Sequence, residues 1–329
     1  MSRCCYALLK RRDMKRALLL LAGVGFLAAS QALAIPVIDP FYAGSYSLVN
    51  LGGVPGVPVR YGGINFLAGD PNTLLLGGNA NDAAGEIDTI EVIRDGGGHV
   101  AGFVGTASLF SAAPFIDGGL AYGPGGVLFF TGYPVNVIGQ IKPGSTSPDK
   151  TVTAPVTASV GSLAFVPAGF AGAGNLAIAS YNDGTFCQAP VTPDGTGTFD
   201  IGACGTTTIL QGGLEGIVYV PVGSALFPNP SILVSEFDAN LVSSYELDGS
   251  GNPIVGTRRV FISDLSGAER AVLDPTNNDF LFSTFGGSND VLRVSGFAAP
   301  PPDVPEPSTV TMLAFGFAGL LGFARKLRD

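Results

Sequence analysis

Tryptophan is absent from the 329 residues, and histidine occurs once, at His99. No HExxH, no GxSxG and no Cys–His pair is present, so the commonest hydrolase chemistries have no sequence support. Charge is sparse, with Asp, Glu, Lys and Arg making up 13% of the chain. Long apolar runs are confined to the two ends, and no amphipathic helical pattern of useful length lies between them. What the chain has instead is 48 glycines and 24 prolines. With 46% hydrophobic residues it is turn-rich yet too apolar to be disordered.

Met14-Lys15-Arg16 precedes an apolar run from Ala17 to Ala29, and Ala32-Leu33-Ala34 is a small-x-small site before Ile35. This is the pattern of a secretory signal peptide over residues 1–34, cut after Ala34 by signal peptidase, with Met14 as an alternative true start. At the other end stand Val304-Pro305-Glu306-Pro307, an uncharged run from Thr309 to Ala324, and a basic terminus, Arg325-Lys326-Leu327-Arg328. As a helix, 309–324 spans roughly 24 Å, a little short of the ~20 residues that usually cross a bilayer. The basic cluster places the C-terminus in the cytoplasm and the bulk outside.

This order of short polar motif, membrane stretch and basic end resembles the PEP-CTERM sorting signal, over residues 304–329. The resemblance implies handling by an exosortase, a membrane protease-transpeptidase that would read Val304, Pro305, Glu306 and Pro307. It implies an inner-membrane intermediate held by a transient C-terminal helix, then the cell surface or extracellular matrix. The repeats described below also resemble those of PEP-CTERM proteins of Gram-negative bacteria.

Without residues 1–34 and 305–329 the chain keeps 8 Lys+Arg against 23 Asp+Glu, a net charge of −15. So acidic a surface argues against nucleic acid or anionic lipid as partner, and favours divalent cations or neutral and cationic ligands. Of four cysteines, only Cys187 and Cys204 fall in the exported part, where disulfides persist. The expectation is a disulfide between adjacent strands on either side of the Pro193-Asp-Gly turn; two free buried thiols are the alternative.

An internal repeat runs through residues 35–297. Gly62-Gly-Ile-Asn-Phe-Leu, Gly118-Gly-Leu-Ala-Tyr, Gly161-Ser-Leu-Ala-Phe, Glu215-Gly-Ile-Val-Tyr and Glu269-Arg-Ala-Val-Leu open units 43 to 56 residues apart. Each unit continues with a second apolar strand and a third alternating one, and most with a weaker fourth. Four antiparallel strands per unit predict an all-β fold, a β-propeller of about five blades with room for a sixth. The orphan strand Ser45–Asn50 would complete the last blade and close the ring. Residues 298–303, with Pro300-Pro301-Pro302, read as a semi-rigid spacer.

Aligned by the repeat, the position before each first strand holds Gly62, Gly118, Gly161, Glu215 and Glu269. Two glutamates from adjacent blades would converge near the axis, where carboxylates suit Ca²⁺. Glu236, Asp183 and Asp290 are further candidate ligands; pairing of the two glutamates with Arg270 or Arg258 is the alternative. The arrangement resembles the metal-centred propellers of the gluconolactonase and strictosidine synthase type, where a Glu at a similar place binds the ion. His99 reads as part of an exposed hairpin turn, and Asp248-Gly-Ser-Gly-Asn252 as a simple turn. The sequence therefore supports an exported, non-catalytic propeller that binds exopolysaccharide or surface proteins, or serves as a scaffold. The alternative is a Ca²⁺-dependent enzyme of lactonase-like type.

Overall fold

The computed structural model of the chain describes residues 35–157, 159–287 and 289–300. The expected leader, including Ala32 and Ala34, and the expected tail from Val304 onward lie outside the described residues. Two short strands come first, β1 (Val37–Ile38) and β2 (Ser47–Gly52). Five sheets follow. Blade 1 contains β3 (Ile64–Leu67), β4 (Asp70–Gly78), β5 (Glu86–Arg94) and β6 (Val100–Ala112). Blade 2 contains β7 (Ile116–Tyr122), β8 (Leu128–Gly132), β9 (Val137–Ile141) and β10 (Lys150–Thr153).

Blade 3 begins β11 (Val160–Phe165), β12 (Leu176–Ser180), β13 (Thr185–Ala189). A side hairpin, β14 (Val191–Pro193) with β15 (Phe199–Ile201), then precedes its last strand, β16 (Thr208–Ile209). Blade 4 is β17 (Leu214–Tyr219), β18 (Ser231–Glu236), β19 (Leu241–Glu246) and β20 (Arg259–Ser263), with β1 added at its outer edge. Blade 5 is β21 (Ala268–Leu273), β22 (Phe280–Thr284) and β23 (Val291–Ser295), completed by β2.

This is a five-bladed β-propeller, and no sixth blade occurs among the described residues. The innermost strands β3, β7, β11, β17 and β21 neighbour one another in turn around the ring. Closure is as the orphan strand predicts: β2 pairs antiparallel with β23, Leu48 opposite Val294. The edge that β23 would expose is thereby covered. The added pairing of β1 with β20 has no counterpart in the repeat.

The second strands are wholly buried in blades 2 to 5, as Leu128–Gly132, Leu176–Ser180, Ser231–Glu236 and Phe280–Thr284. A strand covered on both faces by neighbouring blades favours apolar residues on both, which is why these strands carry continuous apolar stretches, such as Ile232-Leu-Val and Phe280-Leu-Phe, instead of alternating ones. The core is correspondingly divided into five clusters, one per seam between blades. Leu75 and Ile87 of blade 1, for example, pack with Leu120 and Phe130 of blade 2.

Small hydroxyls near the end of the second strands fasten the seams. Thr131 Oγ1 accepts from Gly119 N–H and donates to the Gly161 carbonyl of the next blade, at 2.8 and 2.9 Å. Ser283 Oγ in blade 5 likewise donates to the Gly62 carbonyl at 2.7 Å, across the ring-closing seam.

Cys187 and Cys204 form the expected disulfide. Cys187 is in β13, but Cys204 lies beyond the end of β15, in a loop and not in a strand. The loop still runs alongside β13, since Gly205 N–H donates to the Gln188 carbonyl at 2.9 Å. Among the described residues, no helix is long and apolar enough to cross a membrane.

Candidate functional site at the propeller axis

Four of the five inner strands are irregular at their start. In β17 the register passes from Leu214↔Glu236 to Gly216↔Ser235, so Glu215 is the extra residue of a bulge. In β21 it passes from Ala268↔Thr284 to Ala271↔Phe282, which leaves Glu269 in the irregular step. In β7 it passes from Ile116↔Gly132 to Leu120↔Phe130, so two extra residues fall within Asp117-Gly118-Gly119. Bulges re-aim side chains and cluster near functional sites.

The carboxylates so displaced meet. Asp117, Glu215 and Glu269 each offer one oxygen within 4.8 Å of the others, and the residues are 0, 3 and 1% exposed. Glycine makes the meeting feasible. A Cβ at Gly118 or at Gly161 would lie 2.9 Å from Glu215 Oε2 and would also strike the backbone of β17.

Two of the three are the glutamates the sequence singles out. Asp117 is not, because aligning the repeats on glycine puts Gly118 in the decisive place. The two-residue irregularity in β7 moves the role one position back. The only available signal was an acid beside the aligned glycine.

The electrostatics are severe. Asp117 Oδ1 and Oδ2, Glu215 Oε2 and Glu269 Oε2 are buried and have no hydrogen-bond donor. Burial pushes all three carboxyls well above the usual range; mutual repulsion adds to this for Glu215, from Asp117 and Glu269, and for Glu269, from Asp117. At about 4.8 Å and an effective dielectric of ~20, each pair of full charges repels by roughly 3–4 kcal/mol. Three carboxyl groups so close together must be partly protonated or must hold a cation. The Asn81 side chain lies beside Asp117, and its Oδ1 is also buried without a donor.

Neither arginine expected as an alternative partner pairs with Glu215 or Glu269. Arg270 is buried and donates to the Ile217 carbonyl, with burial lowering its pKa to about 10. Arg258 instead binds Glu236, Nε to Oε1 at 2.9 Å. Glu236, fully buried, also accepts from Tyr245 O–H at 2.7 Å, so it is a structural ion pair and not a fourth axial oxygen. Asp183 caps the β12–β13 turn through Thr185 N–H, and Asp290 accepts from Asn50 Nδ2 at the outer edge of blade 5.

His99 has a partner after all. Its Nδ1 is 2.6 Å from Asp279 Oδ2, beside the Arg94–Asp274 pair at 2.6 Å. These contacts join blade 1 to blade 5 at the seam where the ring closes, so the turn is a latch and not a free loop. Asp248 accepts from Ser250 and Asn252 N–H, as a simple turn requires. Two surface cavities, of about 680 and 600 Å³, are lined by other residues than the axial trio.

Fold and site thus define a five-bladed propeller whose inner strands bring three buried acids together. Residues 303–328 match the PEP-CTERM protein-sorting motif, so this propeller carries that signal at its C-terminus. The motif implies processing by exosortase and export through the membrane to the cell surface. No curated protein matches the chain.

Several solved structures are similar in outline. Myxococcus xanthus glutaminyl cyclase is 10% identical, with 77% of this chain and 97% of that one covered and a TM-score of 0.46. The PQQ-bound aldose sugar dehydrogenase of Streptomyces coelicolor is 15% identical, with 74% and 84% covered and a TM-score of 0.41. The Cps50 (Swd1) β-propeller domain of Myceliophteria thermophila is 9% identical, with 72% and 70% covered and a TM-score of 0.39. None of these activities transfers to this chain at such distances.

Proposed function

We propose that this protein is an exosortase-processed surface or extracellular-matrix component whose propeller is non-catalytic, binding exopolysaccharide or surface proteins or acting as a scaffold. Signal peptidase would release residues 1–34, and Val304–Pro307 would present the cleavage motif while the tail holds the chain in the inner membrane. On this reading the axis is a structural cation site. Asp117, Glu215 and Glu269 would hold a divalent ion, with Ca²⁺ the best fit to an all-oxygen donor set of high negative charge.

The observation that carries the reading is the burial of three converging carboxylates, four of whose oxygens have no hydrogen-bond partner of good geometry. A lactonase-like enzyme would need an open coordination position facing a substrate cleft. Exposures of 0, 3 and 1% favour a closed site. An ion that staples three of the five inner strands would lock the ring after export.

The test is thermal unfolding of residues 35–303 with chelator, then with Ca²⁺ or Mg²⁺. A ligand at 100 times its dissociation constant stabilises by about 2.7 kcal/mol. The expected result is a Ca²⁺-dependent rise in Tm that Glu215→Gln and Asp117→Asn abolish. No rise at millimolar Ca²⁺ would remove the cation from the proposal.

A further inference from the structure

The larger cavity lies on the blade 4 side of the last described residues. Its lining, drawn from Phe41 and residues 220–230, contains no charged side chain. That is notable on a domain carrying 23 acidic residues, with a net charge of −15. Three large apolar side chains of this lining stand in solvent: Val222 at 78%, Phe41 at 46% and Leu226 at 43% exposure. Leu226 is held at φ 65°, a left-handed conformation that a leucine adopts only under constraint.

The face is rigidly backed. Phe227 stacks on Tyr42 with ring centroids 5.4 Å apart, and Phe297 packs against Tyr46 at 4.6 Å and Phe280 at 4.2 Å. The Arg259 guanidinium sits 4.1 Å over the Phe41 ring, a cation at the rim of the apolar patch.

The chain leaves the propeller here. Ala298 N–H donates to Ser224 Oγ at 3.1 Å, within the loop that carries Val222 and Leu226, and Asn278 Nδ2 holds the Ala298 carbonyl at 2.7 Å. From Pro300 only nine residues lead to Thr309, where the uncharged run begins, a reach of about 30 Å at most. The uncharged, apolar face therefore adjoins the point where the described chain ends, a short tether from the expected membrane segment.

We propose that this face, built on Phe41, Val222 and Leu226, docks on the phospholipid bilayer while the C-terminal tail spans it. The inference rests on the tail being a membrane anchor. Docking would hold residues 301–308, and with them Glu306, at the membrane surface where a membrane protease reads them.

The absence of tryptophan makes the test direct. The full-length chain is reconstituted in phosphatidylcholine vesicles with one introduced reporter, Val222→Trp. A control, Val135→Trp, sits in the β8–β9 turn, at the opposite end of the sheets from the loops that join first to second strands. Flotation reports the anchor; quenching by lipids brominated in the acyl chains reports the docking.

The expected result is a blue-shifted Val222→Trp emission quenched at least twofold by brominated lipid, with Val135→Trp unquenched. Adding Leu226→Asp to Val222→Trp should abolish the quenching without lowering the melting temperature. A chain that floats with Val222→Trp unquenched overturns the docking and leaves the anchor standing. A chain that does not float overturns both. A blue shift that follows protein concentration instead of lipid means that a second copy covers the face, and overturns the lipid assignment.

Discussion

Gly118 of blade 2 and Glu215 of blade 4 are in direct contact across the propeller axis: a Cβ on the glycine would lie 2.9 Å from the glutamate's carbonyl carbon and 2.9 Å from its Oε2. The inner strands approach so closely that one methyl group cannot be added without moving backbone. Gly118→Ala should therefore destabilise the propeller by about 1–3 kcal/mol, the usual effect of overpacking a rigid site. It should also blunt the response to Ca²⁺, because Glu215 must shift. Gly96→Ala, where a Cβ meets nothing within 4 Å, is the matched control and should stay within about 0.5 kcal/mol of the parent. Urea unfolding of the two variants decides; equal midpoints would show that the axis has slack.

The axial trio also sets an unusual dependence on pH. Burial raises the carboxyls of Asp117, Glu215 and Glu269 in the folded state, so the native protein binds more protons than the unfolded chain above the ordinary carboxylate range. A raised folded pKa contributes stability that is complete at low pH and is lost as pH rises through the folded value. With chelator present, Tm should fall as pH rises above the ordinary carboxylate range, the reverse of common acid denaturation. Saturating Ca²⁺ should flatten the fall, since the ion replaces the protons. A Tm that rises with pH in chelator would mean that the three acids are ionised and already neutralised by another group.

The architecture was legible because its signals are local. Repeating apolar strands, the Pro- or Asp-Pro-closed inner strand and the leftover Ser45–Asn50 segment suffice to count five blades and close the ring. The site was half legible for a physical reason. Glu215 and Glu269 stand at the repeat position, whereas Asp117 reaches the axis through an extra-residue irregularity in β7, and bulges leave little trace in sequence. The Glu236–Arg258–Tyr245 cluster and the His99–Asp279 latch escaped for another reason. Their members are 9 to 180 residues apart, and only folding brings them within hydrogen-bond reach.

Asp88 offers a test away from the axis. It lies in β5 opposite Leu76 of β4, is 4% exposed, and its Oδ2 has no donor. Burial, aided by the charge of Glu86, raises its pKa to about 6. Two units above the usual value correspond to roughly 3 kcal/mol at ~1.4 kcal/mol per unit, an upper bound on what ionised Asp88 takes from stability at neutral pH. By the same sign rule, that loss is absent below about pH 4 and complete above the folded pKa. Asp88→Asn keeps the shape and removes the charge. It should stabilise by about 1–3 kcal/mol at pH 8 and have little effect at pH 4, with most of the change falling between pH 4 and 6.5. Paired denaturant titrations of parent and variant at four pH values measure this. An equal effect at all pH values would mean that Asp88 acts through packing and not through its charge.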